Sequence, residues 1–156
     1  MIFVFDTSAF LVLKNFYPAT FPSLWTQLDE LVSRGTIVSV SEVFNELQNC
    51  NDTDFIQDWA KRNKAIFAKP SNEELLFVQR ILSTPHFQNL IGQKAILKGK
   101  PVADPFVIAA AKIRNGTVVT EEREKPNAAK IPNVCTHFHI LCVNLETFMK
   151  QQRWTF

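Results

Sequence analysis

The first ten residues, MIFVFDTSAF at 1–10, decide how the chain is read. Ile2 to Phe5 form an unbroken apolar, β-prone run, the pattern of a strand buried on both faces of a parallel sheet. Asp6-Thr7-Ser8 breaks that run with residues that favour helix starts, and Ala9 to Lys14 suit a short helix. An acid therefore stands at the carboxyl end of a buried strand. In open parallel sheets that is the edge along which ligand crevices form.

Strand and helix patterns alternate outward from this unit. After a loop marked by Pro18 and Pro22, Leu24, Trp25, Leu28, Leu31 and Val32 recur at helical spacing up to Gly35. Ile37 to Val40 read as a second strand, followed by a helix through Asn49 that Ser41 would cap, with Val43, Phe44 and Leu47 inward. Asp54 to Asn63 form another amphipathic helix carrying Phe55, Ile56 and Trp59. Ile66-Phe67-Ala68 suits an edge strand that Pro70 ends.

A further helix opens at Ser71-Asn72-Glu73-Glu74, with Leu75, Leu76, Val78 and Leu82 as its core face. Pro85, Gly92 and Gly99 punctuate two short helical pieces across 83–100. The strongest helix opens at Asp104-Pro105, where a first-turn proline is tolerated, and ends at Asn115-Gly116. Thr117 to Thr120 form the next strand and Glu121 to Lys130 a charged surface loop. His139 to Val143 read as a last strand before a C-terminal helix. The alternation predicts an α/β sandwich with a mainly parallel sheet, one domain over 1–156 with no repeat or linker.

Composition narrows the class. Hydrophobic residues are 46% and charged residues 21% of the 156, and the formal net charge is only +2. The overall field does not draw in a polyanion, so any nucleic-acid binding must come from a local patch or a bound metal. The fourteen Phe are spread along the chain and read as core filling rather than a base-stacking platform. No apolar run reaches the ~20 residues of a membrane span. The amino terminus has no basic leader and is interrupted by Asp6, so it does not read as a signal peptide. Cys50, Cys135 and Cys142 are odd in number and far apart, which fits free thiols in a reducing cytoplasm.

Acids stand at the strand ends. Asp6 follows the first strand, Glu42 and Glu46 lie one turn apart on the helix after the second, Asp104 opens the alanine-rich helix, and Glu121 and Glu122 follow the strand at 117–120. Each has an ordinary explanation alone, as a helix cap or a solvated face. Together they can share one small volume. Carboxylates that close resist ionisation, and a hard divalent cation, Mg²⁺ or Mn²⁺, relieves them. Such a cation polarises phosphate and activates water, which is phosphodiester hydrolysis. Thr7, Ser8 and Thr120 are placed to orient the ligands. Lys94, Lys98, Lys100, Arg114, Arg123, Lys125 and Lys130 lie near these acids in sequence and form a candidate phosphate-binding rim. Cys135, His137 and His139 would face one way on a strand and form a candidate zinc site. No glycine-rich phosphate loop is present, and the chain has only four Gly.

Four blocks in order, FVFDTSAF at 3–10, the NEL of SVSEVFNEL at 39–47, VADPFVIAAA at 102–111 and VVTEE at 118–122, resemble the PIN-domain nucleases. With IPNVC at 131–135 they resemble more narrowly a PIN-like group related to the toxins of bacterial toxin–antitoxin pairs. The resemblance implies a three-layer α/β/α sandwich with four to five strands and a metal-dependent endoribonuclease, often a homodimer, that an antitoxin protein can accompany. By position it carries the family's acids onto Asp6, Glu46, Asp104 and Glu122 as catalytic, metal-holding residues, with Thr120 as the hydroxyl before the fourth. Glu42 and Glu121 remain alternatives for the second and fourth places. A PIN-like module that binds RNA or protein without cutting is the competing expectation.

Overall fold

In the computed structural model, residues 1–50, 54–92 and 102–156 are described. Among them five short strands form one all-parallel sheet: β1 (Phe3–Phe5), β2 (Ile37–Val40), β3 (Phe67–Ala68), β4 (Thr117–Val119) and β5 (Cys142–Val143), in the order β3-β2-β1-β4-β5. The helices are α1 (Thr7–Leu13), α2 (Pro22–Ser33), α3 (Ser41–Gln48), α4 (Asp54–Arg62), α5 (Asn72–Leu82), α6 (Asp104–Ile113), α7 (Ile131–His137) and α8 (Leu145–Gln151). The whole is the three-layer α/β/α sandwich that the alternation and the resemblance predict.

Strand order reverses at β1. The chain steps one way from β1 to β2 to β3, then crosses over to β4 and β5 on the other side of β1. With right-handed crossovers, that reversal sends the later helices to the opposite face and opens a crevice at the carboxyl ends of β1 and β4. Two chain segments end there, Phe5-Asp6 and Val119-Thr120. The ladder holds them in register, with the Asp6 amide on the Val119 carbonyl at 2.9 Å and the Thr120 amide on the Val143 carbonyl at 3.0 Å.

Alternate side chains of β1 go to opposite layers. Phe3 and Phe5 share one face, each meeting Phe148 of α8 edge-on with centroids 4.9 and 5.0 Å apart, and Phe5 also meets Phe10 of α1 at 5.4 Å. Phe10 continues the aromatic core to Trp59 and Phe67. Phe3, Phe5, Phe10 and Phe148 are fully buried, as the core reading expects, whereas Phe156 is exposed. α6, buried through Val107 to Ala111, packs across β1, β2 and β4, with α5 and α7 against it.

Several local expectations are corrected. Pro22 opens α2 instead of lying in a loop. Ser41 is the first residue of α3, and its hydroxyl donates to Glu42 instead of capping the helix. On α5, Leu75 and Leu76 are exposed, and the buried positions are Glu74, Phe77, Val78 and Ile81. Val78 and Leu82 do face the core as the spacing predicts, and the inward place beside them goes to Glu74, which pairs with Arg114 at 3.3 Å. Pro85–Leu90 form a 3₁₀ turn, and the rest of the expected second piece, with Gly99, lies outside the described residues. The expected strand at 139–143 is only Cys142–Val143, since IPNVCTH at 131–137 is helical.

Gly116 is required by a close approach. A Cβ placed there would lie 2.8 Å from the Ile2 carbonyl oxygen, which accepts the Thr117 amide at 2.9 Å. Neither backbone group can retreat without loosening the entry of β1 and β4. Gly116→Ala is expected to destabilise the fold by about 1–3 kcal/mol, the usual range for overpacking. Thermal melts and urea midpoints of the two proteins check it, and an unchanged melting temperature would contradict the crowding.

Candidate active site

Asp6 is buried to 3% exposure at the end of β1, in extended conformation, and its side chain does not cap α1. The carboxylate is held by hydroxyls instead. Ser8 Oγ donates to Asp6 Oδ2 at 2.8 Å, and Thr120 Oγ1 donates to the same oxygen at 2.9 Å. Each hydroxyl has one proton. The two hydroxyls also lie 3.2 Å from each other, and each accepts a backbone amide. The Glu121 amide donates to Ser8 Oγ at 2.9 Å and the Glu122 amide to Thr120 Oγ1 at 3.2 Å. Two relays, amide to hydroxyl to carboxylate, thus join the loop after β4 to the end of β1.

The middle residue of Asp6-Thr7-Ser8 points elsewhere. Thr7 Oγ1 donates to Glu46 Oε1 at 2.7 Å, bringing α3 to the crevice, and the Ala103 amide before α6 also donates to Glu46. Burial is the main cause that pushes Glu46 up to about 7, assisted by the charges of Asp6 and Glu122, while the Thr7 and Ala103 hydrogen bonds oppose it. Asp104, in the first turn of α6, is pushed up to about 8, first by burial and then by Asp6, Glu122 and Glu46; Lys130 pulls it back. Burial also raises Asp6, against the hydroxyls of Ser8 and Thr120 and the amides of Thr7 and Ser8. Four acids from β1, α3, α6 and the end of β4 therefore feel one another electrostatically.

The adjacent pair Glu121-Glu122 divides the remaining work. Glu122 acts on Asp104 and Glu46, and its Oε2 accepts the Ile131 amide at the start of α7 at 2.8 Å. Glu121 Oε1 instead accepts the Leu145 amide at the start of α8 at 2.7 Å. Each carboxylate fixes a different downstream helix. Glu42 accepts the Ser41 hydroxyl at 3.0 Å and is not among the groups that raise Glu46 or Asp104. Beside the acids runs a cleft of about 400 Å³, lined in part by Thr120, Glu121, Glu122, Arg123, Glu124 and Cys142.

Other expectations fare differently. Cys135 is buried on α7, whereas His137 and His139 are exposed and His139 sits in a turn with φ 58°. The zinc reading fails because the three do not share a strand. Arg114 leaves the rim, since it lies at the far end of α6 from Asp104 and pairs with Glu74. Lys94, Lys98 and Lys100 lie outside the described residues. Of the expected rim residues, Lys130 acts on Asp104.

The oxygen-only donor set suits Mg²⁺ or Mn²⁺ chemically, and the mutual elevation of the acids is the strain that a divalent cation relieves. Among the described residues no three His, Cys, Asp or Glu side chains are gathered closely enough to enclose an ion. Mg²⁺ is commonly held by one or two carboxylates and keeps its remaining waters, so an open acid cluster remains compatible with it.

A family model described as "Domain of unknown function (DUF4411)" matches residues 3–156. No curated protein matches the chain. Among solved structures, the chain is similar to the crystal structure of VapBC2 from Rickettsia felis bound to a DNA fragment from their promoter. The TM-score is 0.53 at 18% identity, covering 92% of this chain and 98% of that one. It is also similar to FitAcB from Neisseria gonorrhoeae, with a TM-score of 0.50 at 13% identity, covering 92% and 97%. The fold is PIN-like. Among the described residues no helix is long and apolar enough to cross a membrane.

The raised acids carry a pH dependence. Between about pH 4 and pH 8 the folded chain keeps protons on Glu46 and Asp104 that the unfolded chain has lost, so metal-free stability falls as pH rises through that window. Asp104→Asn removes one of the charges. In chelator, its melting temperature is expected to exceed the parent's by about 3 °C or more near pH 8. The gap should narrow toward pH 5, where Asp104 is already neutral in the folded state. A gap of equal size at both pH values would refute the electrostatic account.

Proposed function

We propose, for a chain that belongs to the family described as domain of unknown function DUF4411, that it is a metal-dependent endoribonuclease whose acids are Asp6, Glu46, Asp104 and Glu122. The observation that carries the reading is their convergence at the β1/β4 crevice, where Asp6, Glu122 and Glu46 all raise Asp104. The ordered PIN-type motifs and the likeness in fold to the VapBC2 and FitAcB structures support it. One or two of these carboxylates would hold Mg²⁺ or Mn²⁺ directly and the others through its waters, and the ion would supply charge neutralisation of the cluster and Lewis-acid polarisation of a phosphodiester.

The chain's own groups do the positioning. Ser8 and Thr120 hold Asp6 through Oδ2, which orients the carboxylate and opposes the rise that burial imposes on it. Thr7 holds Glu46 in the same manner. Glu122, anchored through Oε2 at Ile131, presents its charge to Asp104 and Glu46 from a fixed point. Lys130, the residue before α7, brings a positive charge to the acid cluster and is the described cation best placed to meet a substrate phosphate. We assign the chain to the toxin side of a toxin–antitoxin pair, with an antitoxin protein as partner.

A second reading, a scaffold that binds RNA or protein without cutting it, is favoured by one feature: Glu122 already spends an oxygen on a backbone amide. Calorimetry with Mg²⁺ and Mn²⁺ separates the two, since a scaffold takes up neither at the acids.

Asp6→Asn and Asp104→Asn are each expected to lower metal-dependent cleavage of a mixed-sequence RNA by about 100-fold or more, the scale of losing one charge-stabilising group. Both should keep the parent's circular dichroism spectrum. Undiminished cleavage by both variants would sink the nuclease reading. Lys130→Ala should weaken RNA binding by the Asp104→Asn protein and reduce the slope of log K against log salt by about 1. An unchanged slope would remove Lys130 from the substrate path.

A further inference from the structure

One feature of the wall beside the acids has no part in that chemistry. α7 ends at His137, and the chain then doubles back. The Ile140 amide donates to the Cys135 carbonyl at 2.9 Å, the His139 amide approaches the Thr136 carbonyl at 3.3 Å, and His139 takes the left-handed φ of 58° that the reversal requires. Two residues after Ile140, Cys142 enters β5 opposite Val118. The reversal brings Cys142 back against Cys135, and the two side chains hydrogen-bond each other. Their surroundings differ. Cys135 is 1% exposed, while Cys142 is half-buried and lines the cleft with Thr120, Glu121 and Glu122. The third thiol, Cys50, is apart from them at the end of α3, donating to the Glu46 carbonyl at 3.2 Å.

We propose that Cys135 and Cys142 form an oxidative modification site, a dithiol that a hydroperoxide converts into an intramolecular disulfide with Cys142 as the attacking sulfur. An accessible sulfur beside a buried resolving one is the arrangement of reversible cysteine oxidation. The hydrogen bond from Cys135 holds the Cys142 thiol below its ordinary value against burial and the charges of Asp6, Glu122 and Glu124; the same bond, then burial, pushes Cys135 up. Cys142, the half-buried sulfur on the cleft, is therefore the one that meets a peroxide first, with Cys135 sheltered behind it.

The step balances. The Cys142 thiolate attacks one peroxide oxygen; an S–O bond forms and the O–O bond breaks. Cys142 becomes a sulfenic acid, and the departing oxygen leaves as water, or as an alcohol from an organic peroxide. Cys135 sulfur then attacks Cys142 sulfur; the S–S bond forms, the S–O bond breaks, and the hydroxyl leaves as water with the Cys135 proton. Two thiols give up two electrons, and the peroxide takes them. The site is wired to the acids by backbone. Val143, next to Cys142, accepts the Thr120 amide at 3.0 Å, and Leu145 donates to Glu121 at 2.7 Å. The proposal stands whether or not the acids cut RNA, because the thiols are read directly.

The test uses the full chain, reduced and then exposed to hydrogen peroxide under native conditions. The excess is quenched, the protein is unfolded with an alkylating agent present, and its peptides are mapped by mass spectrometry. Of the three cysteines, Cys50 alone should be alkylated, with a Cys135–Cys142 cross-linked peptide that dithiothreitol abolishes. In Cys135→Ser, Cys142 should remain a sulfenic acid that dimedone captures. Cys142→Ser should leave Cys135 alkylatable. Three alkylated cysteines in the parent under peroxide that oxidises a control thiol, or cross-links running through Cys50, would overturn the proposal. So would the absence of a dimedone adduct on Cys142 in the Cys135→Ser protein.

Discussion

A carboxyl group as buried as Asp6 needs donors that replace the water it has lost. The donors here are two hydroxyls far apart in the chain, Ser8 and Thr120, meeting on Oδ2. The same hydroxyls accept from the Glu121 and Glu122 amides, which ties the loop after β4 to the end of β1. The loop's carboxylates then fix where α7 and α8 begin. One buried acid thus propagates its requirements through two hydroxyls to two helices and joins the halves of the sheet where their strand order reverses.

The same cluster works against the stability of the fold. Glu46 and Asp104 are raised by burial and by their neighbours' charges, so the metal-free chain carries electrostatic strain at neutral pH. Nothing in the packing needs Asp104 to be an acid: its helix already has a proline in the first turn and an apolar face from Val107 to Ala111. Strain of this kind, kept at a crevice with hydroxyls arrayed to hold it, is what the proposed active site would require. A ligand that brings positive charge changes the sign of that contribution, and the fold would then be stabilised by what now opposes it.

How much of this was legible depended on how local the determining physics was. Ile2 to Phe5 and Ile37 to Val40 read as strands because burial on both faces leaves a continuous apolar run, a signal contained in four residues. The grouping of Asp6, Glu46, Asp104 and Glu122 was legible because Asp6 and Glu122 follow strands, Asp104 opens a helix and Glu46 lies on the helix after the second strand. The division between Glu121 and Glu122 was not legible, since it depends on which carboxylate reaches Ile131 and which reaches Leu145. Leu75 and Leu76 read as core from helical spacing. Spacing does not reveal that Glu74 would be drawn inward by Arg114, forty residues on. The strand at 139–143 failed for a related reason: the apolar residues of 131–138 serve α7, and the chain needs the turn at His139 before β5 can begin.

That turn also explains how residues far from Asp6 in sequence belong to its surroundings. β5 is two residues long, yet it supplies the Val143 carbonyl for the Thr120 amide, and Thr120 in turn donates to Asp6. A strand so short contributes little burial of its own. Its position is set from either side, by the reversal that ties Ile140 to Cys135 and by the Leu145 amide that Glu121 holds. The C-terminal quarter of the chain is therefore a brace for the hydroxyl that holds the first acid, with Phe148 seated on Phe3 and Phe5 as its apolar anchor. Any change in the spacing of Cys135 and Cys142 acts on that brace directly, and through the Val143 carbonyl and the Thr120 hydroxyl it reaches Asp6.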